Sequence, residues 1–423
     1  MNENLKRSTY PLNPLTLIGF TTFLFFYSIH AGPAWSQTTG FHWYVNQEHV
    51  ISVWLGVFAL FAGLLIARLT TENVKEQPQI NVQVIVDRGR ILCYLAIVAY
   101  ILWFVVSSDQ WLHPNPYGHV QTVPGLTTLT QILPLGLACI YVGQRIGYSK
   151  PQDKWILLFT LALTVERATA NHERLALAET LIPLLIVYLV FTPWKRGVSV
   201  FTRSMLLPFL AFGATAVFAV FEYSRSWVHY SQVYSGGYLS FAIERLQTYY
   251  ISALNNGAIY ELFSKPERIV PYRSLDFIWQ FPVIGTHLLN SFNSNFTFDF
   301  AVLLKEALGT DEFNNAVSVL ILKADLSRIG MMVVLFLTAF GMSRLHSRLQ
   351  NGDYFALVMY ASLVVGLFEL PLIFWFSLGK TLPVFVALIW LRQGARSTRE
   401  NQIFEKSAMS SKSNQLSIHE SIQ

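Results

Sequence analysis

Long apolar runs separated by short polar stretches extend along most of this 423-residue chain. A helix needs about 20 mostly apolar residues to cross the hydrocarbon core of a bilayer. The pattern therefore predicts an all-α polytopic membrane protein. The ten predicted spans are residues 14–33, 49–68, 90–107, 123–144, 155–169, 174–193, 204–223, 327–346, 353–372 and 375–392. The first span is expected to stay as an anchor, because no small-residue cleavage pattern leading into a soluble domain follows it.

The same pattern divides the chain into four parts. Residues 1–223 carry the first seven predicted spans, and residues 224–326 form one long segment outside the membrane. Residues 327–392 carry the last three spans. Residues 393–423 are polar and poor in aromatic residues, which predicts a disordered tail.

The distribution of Lys and Arg predicts the orientation of the chain. Cytoplasmic loops of membrane proteins are enriched in these two residues. The loops at 34–48 and 108–122 contain neither, whereas the alternate loops and both terminal segments contain several. Both termini are therefore predicted to be cytoplasmic, which places the long segment 224–326 outside.

Charged residues interrupt two apolar runs in the stretch TVERATANHERLALAETL, residues 164–181. The apolar residues 155–165 cover only about 16 Å of a hydrocarbon core about 30 Å thick. The fifth helix is therefore expected to include Glu166 and Arg167, and the sixth to begin near Arg174. Either adjacent glutamates neutralise these arginines, or the arginines line a cavity for an anion such as a lipid diphosphate, which a guanidinium binds through two oxygens.

The long segment contains further candidate ligands. Arg225 follows directly on the seventh predicted span. Apolar residues at three- and four-residue spacing predict an amphipathic helix from Tyr238 to Phe263, lying against the membrane or the bundle. Arg245, Tyr249 and Ser252 recur at offsets of four and three, so they share one face of that helix. This face is either a diphosphate site or a structural face with a solvated arginine.

The stretch DEFNNAVSVLILKADLSRIG leads into the eighth predicted span. Asn314 and Arg328 lie just outside the membrane as candidate substrate ligands. Asp325 is a candidate general base for a sugar hydroxyl. An ion pair with Arg328, three residues later on a helix, is the alternative role for this carboxylate. His229 is a second candidate base, because histidine changes charge near neutral pH.

Several common catalytic motifs do not occur in the sequence. It has no phosphate-binding loop of the GxxxxGK[ST] type, no HExxH zinc pair and no GxSxG nucleophile elbow. Cys93 and Cys139 both fall inside predicted helices, so neither a disulfide nor a metal site is expected. No cofactor is expected, and nucleic acid is not an expected partner.

The layout resembles that of the O-antigen polymerases, the Wzy-type polymerases of oligosaccharide repeat units in bacterial envelopes. The shared features are ten or more helices, arginines in a short outer loop after the fifth helix and one large outer loop late in the chain. RLQTYYISALNNG is similar to a family loop segment with Arg, Tyr and Asn at similar spacing. EFNNAVSVLILKADLSRIG is similar to a family stretch of Asn followed by an acid and Gly. That stretch often carries Asp-Phe-Gly where this chain has DLSRIG.

The resemblance implies a GT-C-type glycosyltransferase of the bacterial inner membrane. Such an enzyme polymerises undecaprenyl-diphosphate-linked repeat units into O-antigen, the glycan of lipopolysaccharide, or a related surface polysaccharide, without a metal. The implied partners are the lipid-linked donor and acceptor glycans, membrane lipids and a chain-length regulator protein. The residues then expected to bind the diphosphate are Arg167, Arg174, Arg225 and Arg245. The general base is expected to be Asp325 or His229.

Two other functions fit the same sequence features. An O-antigen ligase uses the same donor and delivers the glycan to the lipid A core. A transporter or flippase of lipid-linked sugars belongs to a different class, and would favour broken helices and internal symmetry. The sugars and the linkage are not determined by the sequence.

Overall fold

The computed structural model describes most of the chain. The described residues are 13–70, 81–112, 123, 125–170, 174–192, 206–263, 272–279, 281, 285, 287–288 and 300–394, with backbone alone for 170, 174, 206–212, 214, 224 and 225. Throughout these residues the regular structure is helical, and they contain no strand. An all-α fold is confirmed to that extent.

Twelve of the helices are used below to locate the side chains. They are α1 (Pro14–Thr39), α2 (Gln47–Leu69), α3 (Val82–Val106), α4 (Leu126–Ile146), α5 (Gln152–Ala170), α6 (Arg174–Phe191), α7 (Leu206–Glu222), α8 (Tyr238–Phe263), α9 (Phe300–Leu308), α10 (Ser318–Gln350), α11 (Tyr354–Leu363) and α12 (382–394). A π-helical segment, Tyr223–Trp227, extends α7. The short helices that matter below are Val228–Tyr230, Arg273–Leu275, Asp276–Trp279, Trp375–Ser377 and Gly379–Thr381.

Four of the helices, α1 to α4, are long and apolar enough to cross a membrane. The segments Leu175–Phe191 and Tyr354–Glu369 are shorter apolar helices. The chain is therefore a membrane protein with at least these candidate spans. The total of ten spans, the orientation of the termini and the GT-C architecture stay predictions. The predicted disordered tail lies almost entirely outside the described residues.

Close helix–helix packing holds the spans together. An added Cβ at Gly63 of α2 would lie 2.3 Å from the carbonyl oxygen of Phe336 in α10. Gly89 of α3 likewise faces Cys139 of α4, with 2.3 Å between its ideal Cβ and that of the cysteine. Lipid gives apolar helices no hydrophobic reason to associate, so small residues that permit close approach favour association through packing. Cys93 and Cys139 are free and buried on these facing helices.

Helix α8 has the bounds that its apolar spacing predicts, Tyr238–Phe263. It contacts α1, α7, α9 and α10. Residues 251–260 are buried at every position, so this part of α8 is enclosed by the bundle. The helix is thus amphipathic only before residue 251, and it brings polar side chains of its second half into the interior.

Helix α10 is broken at Ser327, whose φ of 69° and ψ of 172° are not helical. This backbone region is essentially restricted to glycine, so a serine there is strained. The predicted eighth span starts at 327, and it corresponds to the part of α10 after the break. The part before the break, from Ser318, forms additional helix that the apolar pattern does not predict as a span.

Candidate functional site

The Asp325 carboxylate is fixed by donors from two other segments. The Tyr260 hydroxyl of α8 donates to one carboxylate oxygen at 2.9 Å, and the Ser274 backbone N–H donates to the other at 2.7 Å. Tyr260 is fully buried, whereas Asp325 is partly exposed, two residues before the break at Ser327. The fold therefore positions a carboxylate that solvent still reaches, in the place where backbone strain is stored.

Arg273 lies in the same short turn as Ser274. Its guanidinium carbon is 4.1 Å from the centroid of the Phe300 ring, a cation–π contact. Burial lowers the pKa of Arg273, and the nearby groups of Tyr260, Asp276 and Tyr272 partly oppose that shift. Sequence reasoning missed this arginine, because nothing in the local pattern YRSLDF distinguishes it from the other arginines of the long segment.

A second group of charged side chains surrounds the start of α10. Lys323 is buried, and its Nζ lies 2.7 Å from Glu261 of α8 and 3.4 Å from Glu48 of α2. His49 Nε2 lies 3.6 Å from Glu261. The charged contacts of this cluster join α2, α8 and α10 on the side predicted to face outward. No local pattern predicts this cluster, because its members come from three separate segments of the chain, and Glu48 and Lys323 are 275 positions apart.

Arg328, a predicted substrate ligand, belongs to this cluster. Its guanidinium is 2.8 Å from Glu48, and both side chains are well exposed. The break at Ser327 separates Arg328 from the helical turn that holds Asp325. An ion pair between Asp325 and Arg328, the alternative that their spacing offered, is therefore not formed.

The Arg245 guanidinium is paired with two carboxylates. It lies 3.3 Å from Glu222 and 2.6 Å from Glu312. It also donates a hydrogen bond to the Ser226 hydroxyl, and its central carbon lies 4.5 Å from the centroid of the Phe313 ring. Burial alone would lower the pKa of Arg245, but the hydrogen bond and charge of Glu312, with the charge of Glu222, raise it. Two carboxylates around one guanidinium leave a local charge of opposite sign to the one that a diphosphate needs. The geometry thus favours the structural role for Arg245.

Position along α8 separates Arg245 from Asp325. Arg245 and Tyr260 are 15 residues apart, which is about 22 Å on a helix. Tyr249 is on the Arg245 side, with its ring 4.9 Å from the same Phe313. The predicted shared face of these two residues is confirmed, but one diphosphate cannot contact both this face and Asp325.

Arg167 is buried, and α5 includes it as predicted. It donates to the Thr130 hydroxyl at 2.8 Å, and its guanidinium lies over the Trp103 ring. With the Gln131 amide oxygen facing Arg167, both terminal guanidinium nitrogens donate to it at 2.8 Å. The adjacent Glu166 is exposed, so neutralisation by this neighbour does not explain how Arg167 is accommodated.

The polar network continues from Gln131 to Glu179 of α6. In the same orientation of the amide, the Gln131 nitrogen donates to the Glu179 carboxylate at 3.3 Å. This carboxylate also accepts from Trp375 Nε1 at 2.7 Å and from Lys380 Nζ at 2.6 Å. Lys380 is partly exposed, and a cavity of about 20 Å³ lies between these side chains. That volume accommodates about one water molecule. Two cations, Arg167 and Lys380, therefore flank one buried carboxylate.

Short helices connect this network with the Asp325 region. The turn Arg273–Leu275 contacts Trp375–Ser377, and Asp276–Trp279 contacts Gly379–Thr381. The elements that carry Asp325, Arg273 and Lys380 are thus neighbours. We call the surroundings of Asp325 and Arg273, together with the network that joins Arg167, Glu179 and Lys380, the polar site.

The remaining predicted residues lie elsewhere or are described only in part. Arg174 is the first residue of α6, as predicted, and Arg225 lies in the π-helical segment after α7; the side chains of both are outside the described residues. Single π turns are frequent at functional sites. His229 and Asn314 are exposed. Among the residues described, no group of three or more His, Cys, Asp or Glu side chains is arranged to hold a metal ion.

Comparison with known proteins identifies no relative. No family model, no curated protein and no solved structure matches the chain.

Proposed function

We propose that this protein is a glycosyltransferase of the bacterial inner membrane that polymerises oligosaccharide repeat units linked to a polyprenyl diphosphate. The observation that carries the proposal is the partly exposed Asp325 carboxylate, held by Tyr260 and Ser274 at a strained helix break. Strained backbone and fixed carboxylates are concentrated at catalytic sites. The apolar helices are consistent with a membrane enzyme, and the predicted orientation of segment 224–326 places Asp325 on the outer side of the membrane.

In the proposed reaction, Asp325 is the general base. A hydroxyl oxygen of the acceptor glycan forms a bond to the anomeric carbon of the donor glycan. The bond between that carbon and the diphosphate oxygen breaks, and its electron pair stays with the diphosphate. The hydroxyl proton moves to the Asp325 carboxylate. A positioned general base contributes a rate factor of about 10² to 10⁴ in enzymes.

Positive charge near the carboxylate stabilises the departing diphosphate in this proposal. Arg167 and Lys380 supply this charge on either side of Glu179, and Glu369 also interacts electrostatically with Lys380. Fixed charges stabilise a developing negative charge more strongly in a site that excludes water than in solution. The 20 Å³ cavity is too small for a diphosphate, so binding requires Lys380 to leave Glu179.

Transport of lipid-linked sugars is the second candidate function, and the broken helix α10 is the observation that favours it. Broken helices of transporters bind their substrate near the bilayer midplane. The break at Ser327 falls at the predicted outer end of the eighth span, where an outward-facing active site is expected. We therefore prefer the enzyme.

A surface-polysaccharide gel of a deletion strain tests the proposal. Loss of the ladder to a single-repeat band indicates a polymerase, whereas long glycans left on the carrier lipid indicate a ligase. Glycan retained on the cytoplasmic side indicates a transporter, and an unchanged ladder refutes all three.

Two variants then test the base. Asp325→Asn is expected not to restore the ladder. Asp311→Asn is the matched control, because Asp311 is an exposed partner of Lys305, and it is expected to restore the ladder fully. Full restoration by Asp325→Asn at normal protein level would remove Asp325 from the mechanism.

A further inference from the structure

We propose that Arg273 is an anion-binding residue that holds diphosphate oxygens beside Asp325. The identification of the anion as a diphosphate rests on the proposed function. The presence of an anion site rests on the surroundings of Arg273 alone.

Arg273 differs from several other arginines in its charge partners. Arg90, Arg245, Arg328 and Arg348 each have a carboxylate oxygen within 2.8 Å of the guanidinium. In the part of the chain that the structure describes, the Arg273 guanidinium makes neither a hydrogen bond nor an ion pair within 4 Å. It contacts the Phe300 ring and interacts at longer range with the carboxylates of Asp276 and Asp325. A guanidinium has five N–H donors in a rigid planar arrangement. These donors are suited to the oxygens of a phosphate group.

The surroundings hold Arg273 in one place. The Phe300 ring is buried and covers one face of the guanidinium. The next residue, Ser274, is buried and donates its backbone N–H to Asp325. The turn that carries Arg273 is thereby fastened to the carboxylate, so the position of the cation relative to Asp325 is built into the fold.

The arrangement solves an electrostatic problem of the proposed site. A carboxylate such as Asp325 repels a diphosphate, and that repulsion is strong where water is partly excluded. Arg273 directly precedes Ser274, whose N–H donates to Asp325, so its guanidinium offsets this repulsion. Arg273 then binds the diphosphate before transfer and stabilises the negative charge that collects on it as the glycosidic bond breaks.

Binding measurements test this site directly. The full chain in lipid nanodiscs is titrated with inorganic pyrophosphate in one arm and with a short-chain polyprenyl diphosphate in the other. Arg273→Gln is expected to weaken binding about tenfold or more, the scale of one lost charge-assisted contact. Arg344→Gln is the matched control, because Arg344 donates to the Thr70 carbonyl at the other end of α10. Arg273→Lys is expected to recover part of the affinity.

A labelling experiment keeps the proposal testable if the variant does not fold. Phenylglyoxal modifies accessible arginines, and mass spectrometry measures the rate at each site in the wild-type protein. Saturating pyrophosphate is expected to protect Arg273 and to leave Arg344 unchanged. Equal modification of Arg273 with and without pyrophosphate would overturn the proposal, as would wild-type affinity in a folded Arg273→Gln variant.

The two arms separate the sources of the anion and the two proposals. Weakened binding in both arms assigns a lipid headgroup, and weakened binding of pyrophosphate alone assigns a free phosphate compound; either outcome supports the anion site. Protection of Arg273 together with an unchanged polysaccharide ladder would retain the anion site and refute the polymerase. A polymerase phenotype with unprotected Arg273 would refute the anion site alone.

Discussion

Replacement of Arg245 by Gln tests whether this arginine is structural. The Glu222 side chain is fully buried and that of Glu312 is 32% exposed, so the substitution removes the Arg245 cation from one buried carboxylate. Breaking a buried ion pair by removing one partner costs about 3–5 kcal/mol. Solvent screens the Glu312 side of the interaction, which places the expected loss near the lower limit, about 3 kcal/mol.

Thermal unfolding of the purified protein in nanodiscs, followed by tryptophan fluorescence, measures this loss as a lower melting temperature. The double variant Arg245→Gln, Glu222→Gln is expected to recover much of the stability, because the buried side chain that faced Arg245 is then neutral. Arg328→Gln is the matched control: its pair with Glu48 is exposed, so the melting temperature is expected to stay near that of wild type.

The opposite pattern would refute the reasoning. If Arg245→Gln unfolded at the wild-type temperature and instead weakened binding of a polyprenyl diphosphate, Arg245 would be a ligand residue and the two carboxylates around it would not define its role. A destabilised single variant that the second substitution failed to rescue would show that the loss came from packing against Phe313 rather than from charge.

Two further substitutions test the packing of α10. Gly63→Leu is expected to lower the free energy of unfolding by about 1–3 kcal/mol, because its Cβ would collide with the Phe336 carbonyl of α10. Gly19→Leu is the control in the same melting assay, because nothing lies within 4 Å of the added Cβ. Ser327→Gly is expected to raise stability by about 1 kcal/mol, because glycine adopts a φ of 69° without strain. A melting temperature of Ser327→Gly equal to or below that of wild type would show that the serine is not strained there.

Local sequence determined several helices. The apolar spacing of residues 238–263 fixed the bounds of α8, since three- and four-residue repeats are a property of the helix itself. The short apolar run before Glu166 required α5 to include Arg167, and α6 begins at Arg174 as that argument predicts. These outcomes depend on neighbours in the chain, which the sequence displays.

Tertiary structure decided which charges are compensated. Arg245 and Arg273 both lie in the predicted outer segment, but only the fold gives one of them two carboxylates and the other an aromatic ring. Lys323 reaches Glu48 across 275 positions of the chain. Electrostatic interaction depends on distance in space and on burial, neither of which a linear pattern contains.

The break at Ser327 illustrates the same limit. The spacing of Asp325 and Arg328 is compatible with an ion pair on an uninterrupted helix, and no glycine or proline stands between these two residues to signal an interruption. The tertiary contacts of Asp325 with Tyr260 and Ser274, and of Arg328 with Glu48, instead accompany a broken helix. Apolar periodicity thus determined where helices form, while the packing of distant segments decided which polar side chains meet and which cations form close ion pairs.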